Sequence, residues 1–202
     1  MNMSAHAIPT TGVLVRGQLV VIGWPEPHEF DAITALRNAG SVRRWFVDDK
    51  PLDPQRNREW LLTGMKRPTE ALLSIRLAAT GVLLGVCGWS DWIPAEGVVT
   101  LGRFAMSIEK LRAMRLELPI GYKSIAYECE IIMRDFAFRE LRVEKIVTSY
   151  MVGNRHAARV NHEMGLSVIG QSDYTRPDGS RLKLVNLELS RTQWERLCGV
   201  GS

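Results

Sequence analysis

Cysteine is scarce and unpatterned: Cys87, Cys129 and Cys198 are the only three in 202 residues, and no two are spaced C-x-x-C. An odd, scattered set supplies neither a disulfide framework nor a zinc site, so no metal is expected and a reducing, cytoplasmic setting fits best. Long apolar runs are missing as well. No stretch approaches the roughly 18 residues that a membrane span requires, and the opening MNMSAHAIPTTG lacks the basic-then-apolar layout of a secretion signal. The expectation is a soluble protein with no membrane partner. Neither sign of charge dominates: 26 basic and 22 acidic side chains leave a net charge of +4, mixed along the chain. That excludes the clustered basic stripe of a nucleic-acid binder and leaves only a mild bias toward anionic ligands. No internal repeat is present.

What is present suffices for one core. With 46% apolar and 24% charged residues, a chain of this length builds one substantial core rather than two. Residues 1–202 therefore read as a single domain, with 1–11 and 198–202 frayed. GVLVRGQLVVIG, residues 12–23, is rich in β-branched side chains and reads as a strand or hairpin. In PHEFDAITALRNAG the spacing of Phe30, Ile33 and Leu36 predicts a helix stopped by Gly40. DPQRNREWLLTGM predicts another, with Asp53 as its cap, Pro54 in the first helical position and Trp60, Leu61 and Met65 on one face.

Three β-rich runs follow between Ala71 and Ile108, broken at Thr80-Gly81 and at 94–97. IGYKSIAYECEIIMRDFAFREL then carries Ile125, Cys129, Ile132, Met133, Phe136 and Ala137 at intervals of three and four, the broad stripe of a buried helix face. EKIVTSYMV, residues 144–152, reads as an interior strand, VGNRHAARVNHEMGL as a short helix, and LSVIGQSDYTRPDGSRLKLVNLEL as two strands about Pro177-Asp178-Gly179. The fold expected is α/β (α+β), with a mixed central sheet of about six or seven strands flanked by helices.

From Ala71 to Leu189 this order of elements, together with the run N-x-x-A-x-x-V-N-x-x-x-G-L at Asn154–Leu166, resembles the GNAT superfamily of acyl-CoA-dependent N-acetyltransferases. RRWFVDDKPLDPQRNREWL resembles the front region of the branch that holds ribosomal-protein and nucleotide-aminosugar N-acetyltransferases. The resemblance implies acetyl-CoA as acyl donor. It also directs attention to ELPIGYKSIA, because a glycine-initiated helix presents unpaired N–H groups and about half a positive charge to a pyrophosphate.

Relatives usually show R/Q-x-x-G-x-G/A there. Gly121 matches the first glycine, whereas Leu118 stands in place of Arg or Gln and Lys123 in place of the second small residue. Two readings follow. In one, Ile120, Gly121, Tyr122, Lys123 and Ser124 hold coenzyme A, with the Lys123 ammonium and Arg112 or Arg115 supplying charge to phosphate. In the other, the loop no longer holds coenzyme A and the protein is a noncatalytic acyl-CoA-binding or interaction module.

Asn154 has a local role as helix N-cap, and the resemblance adds a place against the pantetheine arm. Asn161 falls where many relatives carry a tyrosine that protonates the leaving thiolate. An amide is no acid near neutral pH, but a thiol of pKa ~8.5 leaves unprotonated at pH 7 for about 2 kcal/mol. Asn161 is expected to donate to the sulfur or to hold a water, with His162 as alternative acid. Adjacent helical residues point about 100° apart, so the two do not both face one cleft squarely.

The attacking amine must lose a proton, for which the candidates are Asp91, His28, Glu29, Asp48 and Asp49. Each has an ordinary alternative in a turn, a helix start or a solvated loop. Trp45, Trp89 and Trp92 wall an acceptor pocket or pack in the core, and Asp49 supplies a carboxylate on the acceptor side. The thioester oxygen is expected on a backbone N–H near Phe104, Ala105 and Met106, where a local splay of the sheet frees main-chain groups. The function expected is N-acetylation of a small-molecule amine, an amino sugar or natural-product amine, by direct attack on the thioester. The alternatives are a protein N-terminus as acceptor and the noncatalytic module. A monomer or homodimer is expected.

Overall fold

The computed structural model describes residues 11–63, 69–114 and 124–199. The opening β-branched run folds as a hairpin of β1 (Val13–Arg16) and β2 (Val20–Gly23). Its turn is held by the buried Glu128 carboxylate, which accepts from the Gln18 N–H at 2.6 Å and the Leu19 N–H at 3.0 Å. A 3-10 turn, Pro27–Glu29, leads into α1 (Phe30–Asn38), which buries Phe30, Ile33 and Thr34. Gly40 does not stop that helix. The chain breaks at Ala39, in extended conformation, and Gly40 begins the short α2 (Gly40–Arg43). Then comes α3 (Pro54–Thr63), its Asp53 carboxylate accepting from the Arg56 N–H at 2.8 Å. Met65 lies outside the described residues.

β3 (Ala71–Leu77), β4 (Leu83–Ile93) and β5 (Val98–Met106) form an antiparallel meander. After α4 (Ile108–Ala113), α5 (Ile125–Arg139) crosses over to β6 (Lys145–Met151), which lies parallel to β5. α6 (Arg155–Glu163), β7 (Ser167–Thr175), β8 (Arg181–Ser190) and α7 (Arg191–Cys198) complete the order. The sheet has eight strands in the order β1-β2-β3-β4-β5-β6-β8-β7, and β5–β6 is its one parallel pair.

Every residue of β3 is buried, because the period of two feeds two cores. Ala71, Leu73, Ile75 and Leu77 join the larger core with Cys129, Met133, Phe136 and Ala137 of α5, Val160 of α6 and Trp194 of α7. Leu72 joins the smaller one with Phe30, Ile33, Leu61, Val86 and Ala105. α1 and α3 thus cover one face of the sheet, and α5 to α7 the other. Neither α4 nor α7 was anticipated. Cys198 ends α7 and Gly199 caps it in left-handed conformation (φ 67°). Among the described residues no helix is long and apolar enough to cross a membrane.

Candidate active site

β5 and β6 pair at only three positions, Val98↔Lys145, Val99↔Ile146 and Thr100↔Val147. Beyond these, β5 follows β4 to Met106 while β6 follows β8 to Met151, and the two strands part. The splay coincides with a bulge. β4 pairs Gly88 with Gly102 and Val86 with Ala105, leaving Arg103 at φ 55°. The Ser107 N–H donates to the Leu84 carbonyl of β4 at 3.0 Å, so the strand's alternation turns the Met106 N–H toward the gap. Phe104 is half-buried beside it, and Ala105 and Met106 are buried. This is the geometry required to hold a developing oxyanion on the main chain.

Because β5 and β6 run parallel, the helices that follow them both begin at the end of the sheet where the strands part. α5 is capped by Ser124, whose Oγ accepts from the Tyr127 N–H at 3.0 Å. α6 is capped by Asn154, whose Oδ1 accepts from the Ala157 N–H at 3.1 Å. Both helices thus start at the same end of the sheet, α5 with its first turn beside the β1–β2 turn through Glu128, and a positive helix end suits an anionic ligand. Ile120, Gly121, Tyr122 and Lys123, and with them Arg115, lie outside the described residues. Arg112 is in α4.

Asn161 is half-buried and its Nδ2 donates to the Ala157 carbonyl of its own helix at 2.8 Å, so the amide is folded back along α6. His162 is exposed in a shallow groove with Tyr150, Ala158, Leu166, Val168 and Leu187. Asp91 sits at the wrong end of β4. It is exposed, at φ 51°, beside Ser90, whose Oγ donates to it at 2.9 Å, and it stands opposite Val98–Thr100. Thr100 and Phe104 are four residues apart, roughly 13 Å of strand, too far for a direct base.

Glu29 is consumed by structure. Its carboxylate accepts from Arg76 Nε at 2.7 Å and Nη2 at 2.6 Å, from Ser74 Oγ at 2.8 Å and from the Glu26 N–H at 2.9 Å. Burial alone would raise its pKa, and these donors reverse that and hold it below the usual range. His28 is exposed beside Glu26 at 3.4 Å. Asp48 is exposed and accepts from the Lys50 N–H at 3.1 Å.

Asp49 pairs with Arg176 of the β7–β8 turn at 3.0 Å, and Arg176 also donates to the carbonyls of Val47 at 2.9 Å and Phe46 at 3.2 Å. Of the tryptophans, Trp45 is 36% exposed under Arg44, whereas Trp89 is 1% exposed and packs between Trp24 and Phe136. Trp89 is a core residue rather than a wall. Trp92 is half-buried, and the Nε1 atoms of both Trp89 and Trp92 lack a partner among the described residues.

Two arginine–aromatic pairs on the α1–α3 side of the sheet are not marked by any sequence motif. Arg103 pairs with Glu70 and lies over the Trp60 ring at 5.3 Å, and Arg37 stacks on Phe46 at 3.5 Å from its centroid. The same holds for Glu130 on α5, whose carboxyl is pushed up to about 7 by burial and which has no hydrogen-bond partner among the described residues.

Residues 19–167 match the model of the acetyltransferase (GNAT) domain. The chain belongs to the GNAT acetyltransferases. It is therefore an acyltransferase with acetyl-CoA as its acyl donor. None of the curated protein sequences matches the chain significantly. Solved GNAT structures share the fold at low identity. The spermidine N-acetyltransferase of Vibrio cholerae, solved with CoA and spermine, superposes with a TM-score of 0.74 at 14% identity over 88% of this chain and 99% of that one. A GCN5-related N-acetyltransferase from Brucella melitensis gives 0.72 at 15% over 97% and 86%. A GNAT acetyltransferase from Bacillus anthracis gives 0.71 at 12% over 87% and 97%.

Proposed function

We propose that this protein acetylates a small-molecule primary amine, an amino sugar or natural-product amine, by direct attack of the amine on the thioester of acetyl-CoA. The observation that carries the reading is the β5–β6 gap, with the Met106 N–H turned into it and the α5 and α6 starts at the same end of the sheet. Acetyl-CoA supplies an activated acyl group. The chain supplies position and electrostatics: helix ends for the donor's anionic arm and a main-chain N–H for the carbonyl oxygen. Among the described residues no free carboxylate stands at the gap as an evident base, which favours attack by the deprotonated fraction of the amine and a rate that climbs through pH 7 to 9.

Arg176 ties the β7–β8 turn to residues 46–49, and such a strap narrows the acceptor side. It favours a compact acceptor over a protein N-terminus, although the front region resembles the ribosomal-protein branch as well as the aminosugar one. The folded-back Asn161 amide favours one other reading, a module that binds acyl-CoA without turnover. The test is release of free thiol from acetyl-CoA against a panel of amines, with mass detection of the acetylated product. Turnover of small amines is the expected result. Tight coenzyme A binding with no thiol release across the panel would favour the module, and turnover only of peptides would favour the protein acceptor.

A further inference from the structure

We infer that the acceptor amine also bears an anionic group, a carboxylate or phosphate, and that Arg37 receives it; the inference rests on the transfer reading above and names the substrate class of that same site. The charges along the acceptor-side wall do not balance. From the bulge outward this wall is built by Arg103, Trp60, Arg37, Phe46 and Arg176. Arg103 is paired with Glu70, and Arg176 with Asp49. Arg37 remains. It is half-buried at the C-terminal end of α1, and among the described residues it donates no hydrogen bond and has no carboxylate within ion-pair distance.

Burial, and the Arg103 charge, lower its pKa to about 10, with the Asp48 charge opposing. A guanidinium carries five N–H donors in a planar fork. Stacking on Phe46 offsets part of its desolvation, but leaves those donors without acceptors. Two cations forced within electrostatic range, one of them unpaired, form a site that a planar or tetrahedral anion would complete with charge-assisted hydrogen bonds. Arg103 belongs to the bulge itself, and Phe46 under Arg37 and Trp60 under Arg103 pack on the same core as Ala105, so an anion held by Arg37 lies on the wall that leads to the bulge. The same charge is unfavourable to a polycation. A preference for spermidine, the acceptor named for the Vibrio cholerae neighbour, is therefore not expected of this chain.

The experiment compares matched amines: 4-aminobutyrate and O-phosphoethanolamine against butylamine, ethanolamine and spermidine, with the wild-type chain, Arg37→Ala and Arg37→Lys. The wild type is expected to favour at least one anionic amine over its neutral counterpart by roughly tenfold in kcat/KM, through KM. Arg37→Ala is expected to bring that ratio to about one, and Arg37→Lys to restore part of it. The carboxylate and phosphate arms identify which anion is read. Equal use of neutral amines, a preference for spermidine, or an Arg37→Ala loss spread evenly over all amines with a matching fall in Tm would overturn the inference. Titration of the same amines into the protein–coenzyme A complex separates the two readings. Arg37-dependent binding without turnover leaves the anion site standing and removes the transfer reading, and no binding of either anionic amine removes the site.

Discussion

Glu130 shows what a single half-buried carboxylate does to this fold. Its carboxyl, ordinarily at 4.5, is raised to about 7 by burial, so the folded protein holds its proton where the unfolded chain has released it. Below pH 4.5 the two states are protonated alike and the residue contributes nothing. As pH rises from 4.5 to 7 the unfolded state gains, and above 7 the full penalty applies. Glu130→Gln should therefore raise Tm at pH 8 by the equivalent of at most about 3 kcal/mol, less where solvent reaches the carboxyl edge, and leave it unchanged at pH 4. A Tm difference that did not vary with pH would refute the assignment.

Glu29 is the opposite case. Arg76→Leu strands its buried carboxylate and should cost about 3 to 5 kcal/mol in chemical unfolding. Neither fate was readable beforehand. In the sequence Glu29 is simply an acid at a helix start; its engagement depends on Ser74 and Arg76, far along the chain on β3. Asn154 was legible because a cap acts within three residues. Asp91 and Trp89 were not, since the end of a strand at which a residue lies, and the face to which it points, are set by strand order and bulges.

Periodic elements were the readable part: α5 follows its three-four stripe and β6 its apolar run. α7 was hidden by its junction, because Ser190 ends β8 and also caps the helix, with Gln193 closing the capping box. The splay of β5 from β6 was expected near Phe104, but its cause lies partly across the sheet. A Cβ on Gly85 would stand 2.2 Å from the Ala105 carbonyl oxygen, on the strand that lines the gap, whereas one on Gly88 would stand 2.0 Å from the Ala71 carbonyl oxygen of β3. Both must move backbone. Gly85→Ala and Gly88→Ala should each destabilise by about 1 to 3 kcal/mol. Gly85→Ala alone is expected to raise the acetyl-CoA KM as well, because it displaces the backbone that turns the Met106 N–H into the gap. Steady-state kinetics beside thermal unfolding distinguish the two, and an equal KM in both variants would dissociate Gly85 from the site.

At the scale of the whole molecule, the side proposed for the acceptor carries a contact between segments about 130 residues apart. Arg176 has a side chain 13% exposed, pairs with Asp49 and donates to the carbonyls of Phe46 and Val47. Asp49 entered the sequence reading as a cation-attracting carboxylate, but in the fold it is neutralised, so its expected role becomes positional. Arg176→Ala removes the ion pair and both carbonyl bonds, while Asp49→Asn leaves the carbonyl bonds in place. The first should raise the acceptor KM several-fold and speed amide exchange across residues 45–50, and the second should do both to a smaller extent. Neither change touches the helix starts proposed for the donor, so the acetyl-CoA KM should stay within about twofold for both. Trp45, exposed on the same loop, serves as the internal comparison. Trp45→Ala should cost far less stability than the roughly 3 to 5 kcal/mol of a core tryptophan, whereas Trp89→Ala should carry that full cost and lower every activity together. If Arg176→Ala instead weakened donor and acceptor alike with no change in exchange at 45–50, the strap would not be what shapes the acceptor side.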